Sequence, residues 1–135
     1  MRWLVKGKLK WCEDKKYRID WKKPAKSKIA QEVQNYLKNN VRHYVWFAEY
    51  PVWGTRLKID YLCSTIKIAI EVHGKQHESF VKFFHKTRMK YLSQIKRDVR
   101  KEKFLNENGY KLIVIYEEDL PLNQKFFLDT YETTI

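Results

Sequence analysis

Two runs decide the fold: Leu57-Lys58-Ile59-Asp60-Tyr61-Leu62 and, three residues later, Ile66-Lys67-Ile68-Ala69-Ile70-Glu71-Val72-His73. In the second, apolar side chains alternate, which places Ile66, Ile68, Ile70 and Val72 on one face of a strand. The connection is so short that the two runs form an antiparallel hairpin. With Ser64-Thr65 as a two-residue loop, Asp60 lies opposite Ala69. Glu71 then shares the face of Asp60 as a diagonal neighbour, roughly 7–8 Å away between backbones. A slip of one residue would send Asp60 to the other side of the sheet. His73 projects with Glu71, and Gly74 lets a ligand approach the backbone closely.

Working outward, Ser27 stands as a helix N-cap before Ile29, Val33, Tyr36 and Leu37 at helical spacing, with Asn39-Asn40 as the stop. Val41 to Tyr50 reads as a strand, divided from Leu57 to Leu62 by Pro51 and Gly54. Met89 to Asn108 reads as a long helix closed by Gly109, Tyr110 to Tyr116 as a buried strand, and Asn123 to Tyr131 as a short helix. At the N-terminus, Arg2 to Trp11 and Tyr17 to Trp21 suggest a hairpin turning at Glu13-Asp14-Lys15-Lys16. The order helix, strand, strand, strand, helix, strand describes an α/β sandwich with a mixed central sheet flanked by helices. A length of 135 residues suits one domain, 1–135, with a hairpin extension over about 1–22 and a core over about 27–120.

Twenty-eight Lys and Arg against sixteen Asp and Glu give a net charge of +12, which makes a polyanion, nucleic acid first, the natural partner. Cys12 and Cys63 form no zinc-ligand pattern and read as ordinary thiols. No apolar run suits a signal peptide or a bilayer span, so the expectation is a soluble cytoplasmic protein without a membrane partner, in the host cytoplasm if phage-encoded.

Two carboxylates converging on one face can hold a hard cation, and carboxylate-bound Mg²⁺ is suited to phosphodiester hydrolysis. The competing account of Asp60 and Glu71 is a pair of solvated acids on an amphipathic hairpin. Their apolar surroundings and the two histidines around Gly74 favour a site.

The segment Ile70-Glu71-Val72-His73-Gly74-Lys75-Gln76-His77, preceded by Ile59-Asp60-Tyr61 and followed by Asp98-Val99-Arg100-Lys101 and Gly109-Tyr110-Lys111-Leu112-Ile113-Val114-Ile115, resembles the PD-(D/E)xK, restriction-endonuclease-like nucleases. It also resembles the very-short-patch repair endonucleases and the phage homing endonucleases related to them. The agreement runs from about Ser27 to Leu120. The resemblance implies a restriction-endonuclease-like core and a Mg²⁺-dependent endodeoxyribonuclease, with Mn²⁺ able to substitute. It implies Asp60 as principal metal ligand, Glu71 as second, and the carbonyl of Val72 as a further donor. His73 and His77 become candidates for the base or for holding water. Asp98 would orient a histidine or a second metal, and Glu32 matches an acid that many members place beside the metal. The signature lysine should stand where this chain has His73. Either His73 takes its task, or Lys75, Gln76 or Lys101 reaches in from elsewhere. Glu32 also has a plain alternative in a pair with Lys28, and Asp98 in a surface salt bridge.

Lys82, Lys86, Arg88, Lys90, Lys96, Arg97 and Arg100 can straddle a phosphate backbone, with Lys6, Lys8, Lys10 and the Lys22-Lys23-Lys26 cluster extending that surface. Trp3, Trp11 and Trp21 are open to base stacking or core packing. The expected partner is duplex or branched DNA, cut by a structure-selective or nicking enzyme ahead of a homing or recombination enzyme, as a monomer or a homodimer. The alternatives are a non-catalytic nucleic-acid-binding protein on a degraded nuclease fold, and an RNase.

Overall fold

The computed structural model describes residues 1–74 and 88–135, with backbone alone for 88–95. In chain order the elements are strands β1 (Arg2–Val5) and β2 (Lys8–Trp11), helix α1 (Lys28–Val41), strands β3 (Trp46–Pro51), β4 (Lys58–Cys63) and β5 (Ile68–Val72), helix α2 (Arg88–Glu107), strand β6 (Lys111–Ile115) and helix α3 (Gln124–Tyr131). The chain is a mixed α/β protein. Its central sheet has the order β3-β4-β5-β6, with the first two pairings antiparallel and β5 parallel to β6. A parallel pair needs a long crossover, and α2 lies within the connection. Among the described residues no helix is long and apolar enough to cross a membrane.

Both faces of this sheet are covered, which is why β6 reads as a nearly continuous apolar run and β5 buries Ala69 as well as Ile68 and Ile70. On one side, Val33 and Leu37 of α1 and Phe127 of α3 pack with Trp46, Tyr61, Ile68, Ile70 and Ile113. On the other, Trp3 of β1 and Phe104 and Leu105 of α2 pack with Phe47, Tyr50, Ile59, Leu62 and Ala69. The alternation breaks at Glu49, whose φ is +52°. Trp46 and Ala48 belong to the first side and Phe47 to the second, yet Tyr50 also joins the second. β4 makes the same change, with Tyr61 on the first side and Ile59 on the second. Asp60 sits at this change of phase.

Ser27 caps α1 as expected, its hydroxyl accepting from Ala30 N–H at 3.1 Å. Asn123 does the same for α3, accepting from Phe126 N–H at 2.8 Å. α2 ends at Glu107, and Gly109 adopts φ +76°, the left-handed conformation that closes helices.

Four local expectations need correction. α1 runs past Asn39-Asn40 to Val41, because Asn40 turns its side chain back to donate to the Tyr36 carbonyl. The third strand therefore begins at Trp46, not Val41. The N-terminal hairpin is β1–β2, turning at Lys6-Gly7, where both residues have positive φ as a tight two-residue turn requires. Lys15–Tyr17 is instead a short 3-10 turn. Finally, the β4–β5 loop is Ser64 to Lys67, with Cys63 paired to Ile68 and Leu62 to Ala69. Lys67, at φ +52°, closes this longer turn, and Thr65 Oγ1 is held by Val45 N–H at 2.8 Å. The shift is two residues, so the faces are kept, but the register extended by one pair sets Glu71 directly across from Asp60.

Candidate functional site

Asp60 and Glu71 are both buried, at 9% and 5% exposure. Burying one carboxylate is expensive, and burying two side by side is more so unless each is compensated. Asp60 is compensated fully. Its Oδ1 meets Lys26 Nζ at 2.7 Å and its Oδ2 accepts from the Val72 N–H at 2.8 Å. Burial alone would push its carboxyl up, but the hydrogen bond from Glu71, the Lys26 ammonium and the Val72 N–H outweigh it and hold it below its ordinary range.

Glu71 is compensated only in part. Its Oε1 lies 2.9 Å from Lys101 Nζ, yet the oxygen has no hydrogen-bond partner among the described residues. Charge proximity holds, while the angles of a hydrogen bond do not. Burial first, then the Asp60 charge, push the Glu71 carboxyl up to about 8, against the opposing pull of Lys101. The two acids are thus driven apart, Glu71 toward its protonated form and Asp60 toward its ionised form, as a pair that shares a proton.

Each lysine is aimed by its element. Lys26 precedes α1, and that helix grips the segment: Gln34 donates to the Lys23 carbonyl at 2.9 Å and Gln31 accepts from Ala25 N–H at 2.7 Å. Gln34 in turn accepts from the Tyr61 hydroxyl at 3.2 Å, tying α1 to the strand that carries Asp60. Lys26 also pairs with Glu49 at 3.2 Å. Burial would lower its pKa, but Asp60 and Glu49 together raise it, so it stays charged. Lys101 comes from α2, and its side chain is only 14% exposed.

The remaining expected residues divide. Val72 stands beside Glu71 on the same strand end. His73 continues the strand, its N–H donating to Ile115 at 2.8 Å, and its ring meets Tyr116 edge-on at 5.6 Å. Asp98 belongs to this neighbourhood. After burial and Tyr131, its charge is among the causes that raise the Tyr116 hydroxyl. Glu32 is exposed on α1 and is not among the groups acting on Asp60 or Glu71. Lys96, Arg97 and Arg100 are exposed on α2. Lys75, Gln76, His77, Lys82 and Lys86 lie outside the described residues, as do the side chains of Arg88 and Lys90. Among the described residues no three His, Cys, Asp or Glu side chains group as a metal cluster, so the donor set there is two carboxylates and the strand-end backbone.

Lys26, Glu49 and Tyr116 are neighbours of the site that sequence reasoning did not single out. Lys26 was legible only as one member of a basic cluster. Nothing in its spacing points to an acid 34 residues later.

No family model and no solved structure matches the chain. Over 69 residues it is 38% identical to the uncharacterized protein 033L of Invertebrate iridescent virus 3, covering 51% of this chain and 36% of that protein. Over 59 residues it is 34% identical to the uncharacterized protein 307L of Invertebrate iridescent virus 6, covering 44% of this chain and 30% of that protein. The matched segment thus spans about a third of the length of these curated relatives.

Proposed function

We propose that the chain is a metal-dependent endonuclease of the restriction-endonuclease-like type, hydrolysing DNA phosphodiester bonds at Asp60 and Glu71. The observation that carries this reading is two buried acids facing each other across adjoining strands, each beside a lysine ammonium, with no hydrogen-bond partner for Glu71 Oε1 among the described residues. The order of elements around them, helix, three strands, helix, strand, supports it.

The residues fit a hard divalent cation. Asp60, Glu71 and the Val72 carbonyl are oxygen donors of the kind Mg²⁺ prefers, and among the described residues Glu71 Oε1 is a buried acceptor whose one close neighbour of opposite charge is Lys101. When bound, the metal would supply Lewis acidity and ease the deprotonation of a water, whose proton a neighbouring group would take. The chain's own residues do the rest. Lys26 and Lys101 place two positive charges beside the acids, where a dianionic phosphorane needs them. Lys101, which reaches Glu71 from α2, is the candidate for the task of the signature lysine, whose position is taken by His73 just beyond β5. His73, two residues beyond Glu71, is the group available to hold a water or move a proton.

A specific feature favours a second reading. Each acid already has a lysine within 2.9 Å, as in a non-catalytic ion-pair network. Incubating the purified protein with plasmid, branched DNA and RNA, in Mg²⁺ or EDTA, separates the two. The nuclease reading expects cleavage in Mg²⁺ only. It also expects Asp60→Asn to lower the rate by on the order of 10²–10³-fold or more with nucleic-acid binding retained. Intact substrates bound by the wild-type protein support the non-catalytic network, and cleavage confined to RNA makes the protein an RNase.

A further inference from the structure

Charge is unevenly spread along the chain. Residues 1–28 hold eleven Lys and Arg against three Asp and Glu, a net +8 of the chain's +12. The β1–β2 hairpin lies in this segment, and its pairing sorts side chains onto two sides. Trp3, opposite Lys10, sinks into the core. Arg2 opposite Trp11, and Leu4 opposite Leu9, share the outer side. There Trp11 is 70% exposed and Leu9 64%. Among the described residues Arg2, Lys6 and Lys8 have no acidic partner.

The hairpin also touches the working end of the sheet. Lys10 Nζ lies 5.2 Å from the centre of the Trp53 ring, in the turn between β3 and β4. That turn is at the end where β4 begins and β5 finishes, the end that carries Asp60 and Glu71.

We infer that the outer side of the hairpin, formed by Arg2, Leu9 and Trp11, is a stacking platform for the unpaired nucleotides of a nucleic-acid strand. An exposed indole beside an arginine offers a flat surface to a base of any sequence, and Lys6 and Lys8, exposed at the hairpin's tip, meet the phosphates that run past it. Paired bases inside a duplex offer no such face. An apolar protein surface would leave these cations uncompensated. The inference deepens the nuclease reading by naming a substrate with single-stranded character, and rests on it for the fate of the strand but not for its binding.

The test measures binding by the full chain in EDTA, so that cleavage plays no part. Fluorescence anisotropy compares a labelled oligo(dT), its ribo counterpart, and a blunt duplex of equal length. Trp11→Ala should weaken oligo(dT) binding about tenfold, the loss of one stacked base, and change duplex binding less than twofold. Trp11→Phe, which keeps a flat ring, should restore most of the affinity. A larger effect on the ribo-oligonucleotide supports the platform and assigns the strand to RNA. Unchanged single-strand binding in Trp11→Ala overturns the inference, as does an equal loss on duplex. Self-association that Trp11→Ala abolishes without altering oligonucleotide binding also overturns it, because the platform is then a contact between copies. Failure of cleavage with the selective Trp11 effect intact would strike the nuclease reading alone.

Discussion

The two tryptophans of one small hairpin stand in opposite relations to the fold, as do the regions around them. Trp3 is 1% exposed, donates from Nε1 to the Tyr50 hydroxyl at 2.8 Å, and meets Phe104 and Tyr110 with ring centres 4.9 and 5.2 Å away. Trp11, on the other side, is mostly in solvent. The central strands bury apolar groups on both faces and hide two acids between them. The basic N-terminal segment docks through Trp3 and sends Lys26 to the acids. Holding the fold and facing solvent are thus divided between residues eight positions apart. The largest expected effect breaks this comparison at its anchor. Trp3→Ala should lower the unfolding free energy by about 3–5 kcal/mol, as large-to-small changes of a buried aromatic do. Trp11→Ala should stay within about 0.5 kcal/mol. Urea titration followed by circular dichroism measures both, and equal losses would mean that the two sides of the hairpin are not distinct.

The second effect concerns the acids. In the unfolded chain Glu71 loses its proton near its ordinary value of 4.5, whereas in the folded protein burial and the Asp60 charge hold it to about 8. Between those values the folded state binds the extra proton, so stability falls as pH rises. Below the unfolded value the group takes nothing from stability; above the folded value its full penalty is present. Glu71→Gln keeps the shape and the acceptor facing Lys101 without the charge. It should match the wild type near pH 4 and exceed it at pH 8–9 by on the order of 1–3 kcal/mol. Thermal melts across that range check the sign. A wild type that gains stability with rising pH relative to the variant would refute the shared-proton account. Mg²⁺ should raise the wild-type Tm at pH 8 more than that of Glu71→Gln, because the cation favours the ionised form.

Much of the central fold was legible because its signals are local. Alternation marked β5, Ser27 and Asn123 marked two helix starts, and Gly109 marked a helix end. The face shared by Asp60 and Glu71 was legible too, since parity survives any even change of loop length. Their direct opposition was not, because a four-residue turn closed by Lys67 in the left-handed conformation has no strong residue signature. The change of phase at Glu49 was equally hidden, for a non-glycine with positive φ inside a strand is held by its surroundings. Lys101 could be named, beside Lys75 and Gln76, as one of three residues able to reach in. Lys26 could not be singled out, because its partnership depends on α1 drawing Lys23 and Ala25 against it.

The smallest effect sharpens the comparison by asking which region meets phosphate. Lys96, Arg97 and Arg100 are exposed on α2, so replacing all three by Gln should leave stability within about 0.5 kcal/mol. Each phosphate contact contributes about 0.9 to the slope of log affinity against log salt on duplex and about 0.7 on single strands. If α2 tracks the duplex backbone, the triple variant loses about 2.7 from the duplex slope. Lys6→Gln with Lys8→Gln, on the hairpin, should instead remove about 1.4 from the single-strand slope and leave the duplex slope in place. Anisotropy titrations between 50 and 200 mM salt read both. A triple variant with an unchanged duplex slope would remove α2 from the interface. Equal losses on both substrates from either set would merge the two regions into one diffuse basic surface. The preference proposed for the hairpin, for unpaired strands, would then have to rest on Trp11 alone.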